Sequence, residues 1–210
     1  MIKQWANFIS DVLQDPVVEK SFRKDGRIRR FFVAAVFLAG LGPSLAGAET
    51  ENARIDRVKA AFILNIARFV TWPDEALKHQ GDQLLLCLYR RNPWDGAIET
   101  IEGKMVNGRA LRINLVKSLA QSQPCNILLI GLDEIRHFDE ESRHAADRPL
   151  LTIADLTDAD LPPPRQHALV TLVRNGARIG FEINLAKARR AGLQMSSNLL
   201  KLAKIVGDGT

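Results

Sequence analysis

The chain has 210 residues, 29 basic and 24 acidic, for a formal net charge of +5. Seven of the basic and four of the acidic residues fall within the first 48, so positions 49–210 carry 22 and 20 and are close to neutral, with no long basic run. That balance argues against a protein built to coat nucleic acid, and 162 residues are enough for one domain with a substantial core.

The N-terminal stretch reads as an export signal. Arg27-Ile28-Arg29-Arg30 precede an apolar run from Phe31 to Leu41, and Ala46-Gly47-Ala48 follow as a small-x-small cleavage site. The run breaks at Gly42-Pro43, leaving about 11 strongly apolar residues where a membrane-crossing helix needs about 20. The expected organisation is therefore a removed signal peptide over 1–48 and a single domain over 49–210, working in the periplasm. The leader is long and includes an amphipathic stretch (Trp5, Phe8, Ile9, Val12, Leu13), so a start further along the chain and an uncleaved anchor stand as alternatives. No cysteine lies near the cleavage site, which argues against a lipoprotein.

Beyond the leader, Ile55, Val58, Phe62, Ile66 and Phe69 recur at steps of three and four, which predicts a helix over 54–70 that Thr71-Trp72-Pro73 ends. Leu84 to Tyr89 is a continuous apolar run, as in a strand buried on both faces. Asn92-Pro93 is read as opening a short helix to about Ile101. Asn107-Gly108 marks a turn before a strand over 110–116, and a short helical turn over 118–121 precedes a third strand over 125–130. Asp133 is read as the cap of a polar helix to about Ala146, and a fourth strand runs over 150–154. Leu161-Pro162-Pro163-Pro164 forms an extended loop. Runs over 168–174 and 177–185 flank Asn175-Gly176, a strong hairpin signal. Asn184 caps a helix that stops at Gly192, and Ser196-Ser197 cap a last helix over 198–206. The order predicts an α/β fold: a mixed, largely parallel sheet flanked by helices, with a C-terminal antiparallel hairpin.

Chemistry-bearing patterns are sparse. The first strand–helix connection, Tyr89 to Gly96, lacks the glycine-rich cradle of a nucleotide site; Arg90 and Arg91 there read as an anion contact or as a solvated loop. His137 and His144 stand seven apart on the polar helix, about 10.5 Å along its axis and too far for one metal unless an intervening Glu bridges, so a solvated helix face is the expectation. No serine sits in a nucleophile elbow, and no pair of carboxylates compels an acid/base role. The expectation is a non-enzyme with no catalytic, metal or cofactor residues. Cys87 and Cys125, the two cysteines, permit one disulfide in an oxidising compartment; two buried thiols in adjacent strands are the alternative. Along Arg178 to Leu185, alternation puts Ile179, Phe181, Ile183 and Leu185 on one face. Arg178, Gly180, Glu182 and Asn184 make a polar ridge on the other, usable for docking a partner or simply solvated.

At this ridge the chain resembles a known family. Gly180 to Leu185, Ala188 to Leu193 and Ser196-Ser197-x-Leu199-Leu200-x-Leu202-Ala203 are similar to the C-terminal signature of the YfiR-like exported proteins. Val58 to Phe62, Asn65-x-x-Arg68-Phe69-Val70, Trp72-Pro73, Val106 to Arg109 and Cys125 to Ile130 agree in the right order, from about Arg57 to Val206. The resemblance implies a periplasmic α/β protein, often dimeric, that represses a membrane-bound diguanylate cyclase through its periplasmic domain. An outer-membrane lipoprotein would sequester it, and the output would be cyclic-di-GMP and so biofilm and motility. It also implies a Cys87–Cys125 disulfide, since Cys125 stands where the family commonly carries a cysteine; a second cysteine pair seen in some members is absent. The family's Gly-Gly-Met-Ile-like lead-in to the hairpin is replaced here by Leu161–Pro164 and then Arg165 to Val170, so a partner that touches it would differ. The expected interface is Arg178, Glu182 and Asn184 with Leu199 of the last helix. The rival expectation is a small-ligand receptor for an anion or aromatic metabolite, with Arg90, Arg91 and Trp94 at the mouth of a cleft.

Overall fold

A computed structural model describes residues 51–78, 80–159, 168–176 and 178–207. The leader expected over 1–48 and the loop Leu161–Pro164 lie outside the described residues. The chain divides into two units, 1–55 and 56–210. Of the first, only 51–55 are described, the start of helix α1 (Glu51–Arg68), where Arg54 lies 3.9 Å from Glu51. Everything below concerns the second unit.

From α1 the chain enters β1 (Val70–Thr71), then α2 (Asp74–Leu77), β2 (Gln83–Tyr89), β3 (Met105–Val106), β4 (Arg109–Val116) and β5 (Ile127–Ile130). Next come α3 (Ile135–Ser142), β6 (Leu151–Asp155), β7 (Val170–Asn175), β8 (Arg178–Asn184) and α4 (Leu185–Arg190). β9 (Gln194–Met195), α5 (Ser197–Leu202) and β10 (Lys204–Val206) complete it. Eight strands form one sheet in the order β10-β8-β7-β6-β5-β2-β4-β3. The β2–β4, β2–β5, β5–β6, β6–β7 and β8–β10 pairs are parallel; β3–β4 and β7–β8 are antiparallel. This is the mixed, largely parallel sheet with a C-terminal hairpin that the sequence predicts.

Register explains the two cores. Leu88, Leu129, Ile153, Val170 and Ile183 align across five strands on one face, which α1 covers; Phe62 of α1 meets Phe181 edge-on at 6.3 Å. On the other face Cys87, Tyr89, Leu128, Ile130 and Ala154 pack with Ile135 and Phe138 of α3, and Tyr89 and Phe138 meet edge-on at 5.9 Å. β2 and β5 are buried on both faces, which is why they read as unbroken apolar runs rather than as alternating ones.

Four local expectations change. The helix expected after Asn92 is reduced to a 3-10 turn at Ile98–Ile101: Asn92 Oδ1 accepts from the Trp94 N–H at 3.0 Å, and Gly96 takes a φ of +75°. Asp133 is not a helix cap. It lies inside a 3-10 turn, Leu132–Glu134, that Gly131 precedes, and α3 ends at Ser142 instead of Ala146 because Ala145 and Ala146 are exposed and pack against nothing in the core. The hairpin reverses one residue later than Asn175-Gly176, since Asn175 pairs with Arg178 and Gly176 takes a φ of +62°. Finally, α5 stops at Leu202 and Lys204–Val206 becomes an edge strand, aligning with Glu182, Ile183 and Asn184 of β8. Pairing with an otherwise open strand edge outweighs the residues' helix propensity.

Candidate functional site

The carboxyl ends of parallel strands are where open α/β sheets place their crevices, and here a charged cluster closes that end. Lys59 lies on the buried side of α1 at 2% exposure, although lysine is almost never fully buried unless paired. Its Nζ is 2.8 Å from Asp56, 2.9 Å from Asp155 at the end of β6, and 3.6 Å from Asp158. The Trp94 Nε1–H donates to Asp155 Oδ2 at 2.7 Å, and the ammonium sits 5.2 Å from the centre of the Trp94 ring. Asp155 Oδ1 accepts from the Thr157 N–H at 3.0 Å and its hydroxyl at 2.7 Å, while Asp158 is held by Arg174 at 2.9 Å. Burial alone would push the Lys59 ammonium down; the Asp155 charge and the hydrogen bonds to Asp56 and Asp155 outweigh it and raise it above the ordinary lysine value. Burial likewise pushes Asp155 up, and the Lys59 charge with the Lys59 and Thr157 hydrogen bonds brings it below the ordinary carboxylate value. Ammonium, carboxylate and indole all have partners, so the cluster ties α1 to β6 and to the β2–β3 connection. Sequence reasoning missed it. The signal was a lysine three, four and seven residues before Phe62, Ile63 and Ile66 on a core-facing stripe.

The open mouth expected from Arg90, Arg91 and Trp94 does not form. Trp94 is 1% exposed, turned inward onto Asp155. Arg90 Nε lies 2.8 Å from Glu134 Oε2 and Arg91 Nε 2.7 Å from Glu134 Oε1, with Arg91 Nη1 also 3.2 Å from Asp133. Glu134 is buried, and His137 Nδ1 stands 3.3 Å from it. Both guanidiniums are thus neutralised by the start of α3, and Arg90 takes a φ of +66° there. His144 lies past the end of α3, so the two histidines do not share a helix.

The expected ridge is split by depth. Arg178 is exposed at the open end of β8. Glu182 lies beside the new edge strand, 2.8 Å from Lys204, whose ammonium it raises above the ordinary value. Asn184 and Leu199 have work inside the fold. Asn184 Oδ1 accepts from the Lys187 N–H at 2.8 Å as the cap of α4, and Leu199 is fully buried. Ser196 caps α5, its hydroxyl accepting from the Leu199 N–H at 3.2 Å. The outward part of the site is therefore Arg178, Glu182 and Lys204.

Other motif residues prove architectural as well. The Trp72 indole donates to the Asn126 carbonyl at 3.2 Å, and Asn126 Oδ1 accepts from the Leu85 N–H at 2.8 Å. Asn107 and Gly108, at φ +48° and +82°, make the two-residue β3–β4 turn. Cys87 and Cys125 form a disulfide joining β2 to the start of β5, with Cα atoms 5.9 Å apart.

The domain is thus a mixed α/β sheet stapled by one disulfide, with the carboxyl end of β6 tied to α1 by internal ion pairs. Residues 56–204 match the YfiR/HmsC-like family, and the chain belongs to it. That family is regulatory and periplasmic, and its membership places the chain among regulators of diguanylate cyclase signalling. Among the described residues no helix is long and apolar enough to cross a membrane.

Proposed function

We propose that this protein is a periplasmic repressor that binds the periplasmic domain of an inner-membrane diguanylate cyclase and lowers cyclic-di-GMP. It works without catalysis, as a homodimer released from the cyclase when an outer-membrane lipoprotein sequesters it. Repression of this kind needs only a differential affinity for the cyclase's inactive arrangement. The observation that carries the reading is family membership over residues 56–204. The docking surface is the outward side of β8 and β10, from Arg178 at the hairpin end to Glu182 and Lys204; Asn184 and Leu199 serve the fold and lie outside that surface.

The test expresses wild type, Arg178→Glu and Glu182→Lys in a strain lacking the native gene. Cellular cyclic-di-GMP and co-purification with the cyclase's periplasmic domain are then measured. Wild type should lower cyclic-di-GMP and retain the domain, and both variants should lose both effects at normal protein levels. Unchanged cyclic-di-GMP on restoring wild type overturns the repressor reading, and full activity of both variants overturns the placement of the surface.

A further inference from the structure

Strand β4 is eight residues long and, for most of that length, is paired on one side only. β2 runs parallel to it from Ala110 to Val116, whereas β3 reaches only Arg109 and Ala110. Hydrogen bonds fix which backbone groups face which way. On the β2 side, the Ala110 N–H donates to the Asp82 carbonyl at 2.8 Å, and the Val116 carbonyl accepts from the Arg90 N–H at 2.7 Å. On the β3 side, the Leu111 N–H donates to the Lys104 carbonyl at 2.9 Å, and the Leu111 carbonyl accepts from the Gly103 N–H at 2.8 Å. Even-numbered positions therefore face β2 and odd-numbered ones face away from it. The N–H and C=O groups of Ile113 and Leu115 point out of the sheet, and among the described residues no strand meets them. Folds normally keep such an edge short or covered, as at the other end of this sheet, where β10 has three residues.

The side chains along the edge say what would cover it. Leu115 is 58% exposed, more than any other large apolar side chain among the described residues, and Ile113 is half-buried. Both lie on the α1 face, where Leu88 stands beside Leu115, while Arg112 and Asn114 are exposed on the opposite face. From Gly103 to Leu132 the chain carries Lys104, Arg109, Arg112 and Lys117 and no acidic residue. Among the described residues neither Arg112 nor Lys117 has an ion-pair partner. A second copy pairing strand to strand would add the same basic residues and no acid, so charge selects a different occupant. We propose that the β4 edge takes up an extended acidic segment of a partner protein as an added strand. Its backbone would bond Ile113 and Leu115, its apolar side chains would lie against theirs, and a carboxylate would face Arg112 across the strand pair. This edge is at the other end of the sheet from the β8–β10 surface and does not rest on the repressor reading.

The test uses the oxidised, exported protein and two end-blocked peptides of about seven residues, one alternating Glu with Val and one alternating Lys with Val. Fluorescence anisotropy should show the acidic peptide binding about tenfold or more tightly than the basic one. Amide exchange followed by NMR should slow at Ile113 and Leu115 on binding and stay unchanged at Asn114, whose N–H faces β2. Arg112→Glu, an exposed change, should weaken the acidic peptide about threefold or more by turning a cross-strand attraction into a repulsion. Leu115→Pro removes an outward N–H where an edge strand tolerates proline and should bring binding below detection. No binding of the acidic peptide at millimolar concentration, equal binding of the two peptides, or unchanged affinity in Arg112→Glu overturns the proposal. A dimer whose Ile113 and Leu115 amides are protected without peptide, and which Leu115→Pro converts to monomer, assigns the edge to a second copy and overturns the acidic partner.

Discussion

Replacing Lys59 with Met keeps the side chain's length and apolar stem but removes the ammonium from a ring of three carboxylates. Removing one partner of a buried ion pair costs about 3–5 kcal/mol, because a charge is left uncompensated out of water. Here the cost should sit at the low end. The Asp158 side chain is 63% exposed and Asp56 24% exposed, so both recover hydration. Asp155, at 8%, keeps the Trp94 and Thr157 donors. The expectation is about 3 kcal/mol at pH 7, or roughly 6–12 °C in midpoint at 2–4 °C per kcal/mol for a domain of this size. The pH dependence is the sharper signature. In the wild type Asp155 is depressed, so its contribution is present above the unfolded carboxylate value near 3.9 and is lost as pH falls through its lower folded value. Lys59 is raised, so its contribution is present below about 10.4 and is lost only as pH climbs through its still higher folded value. Between about pH 5 and 9 the pair is therefore flat. Without the ammonium, Asp155 is a buried carboxylate close to Asp56 and Asp158, which shared the same lysine, and its affinity for a proton rises. The variant's deficit should shrink as pH falls from 7 to 5, because the native state then gains a proton the unfolded chain lacks. Urea unfolding at pH 5, 6, 7 and 8 measures this, with Asp155→Asn added to Lys59→Met as the cycle-closing variant, expected to recover part of the loss and to flatten the profile. A Lys59→Met deficit that is the same at pH 5 and 7 would refute the cluster as the source of the stability.

Two further outcomes follow from the same geometry. The Cys87–Cys125 bridge spans 38 residues, so Cys87→Ala with Cys125→Ala should cost about 4 kcal/mol by loop entropy, about 2 M in urea midpoint at a slope near 2 kcal/mol/M. Alkylation of native protein without reductant should modify neither cysteine, and labelling of both would show the bridge absent. Asn184→Ala should lower stability by about 1 kcal/mol through loss of the α4 cap while leaving the Arg178–Glu182 surface in place, so denaturant unfolding should detect it where partner co-purification, read well below the midpoint, should not.

The apolar runs and their breaks carried most of the architecture. Leu84 to Tyr89 and Ile127 to Ile130 are apolar at every position because both faces are covered, Asn107-Gly108 takes the positive φ values its turn demands, and Asn184 and Ser196 cap the helices expected of them. These are local matters, set by a residue and its neighbours within one or two turns. Which polar residues meet was decided only by tertiary structure. Lys59 and Asp155 are 96 positions apart and come together because α1 lies across the end of β6. Trp94 turns inward because the Asp155 carboxylate that holds Lys59 also accepts its indole N–H, Arg90 and Arg91 are tied down at the surface because Gly131 starts a turn that brings Glu134 to them, and Lys204–Val206 gives up helix because β8 offers an unpaired edge. Hydrophobic periodicity records how deep a residue lies, but a buried charge or an open strand edge is satisfied by whatever the fold brings within about 3 Å, and that distance is not written in the spacing of the sequence.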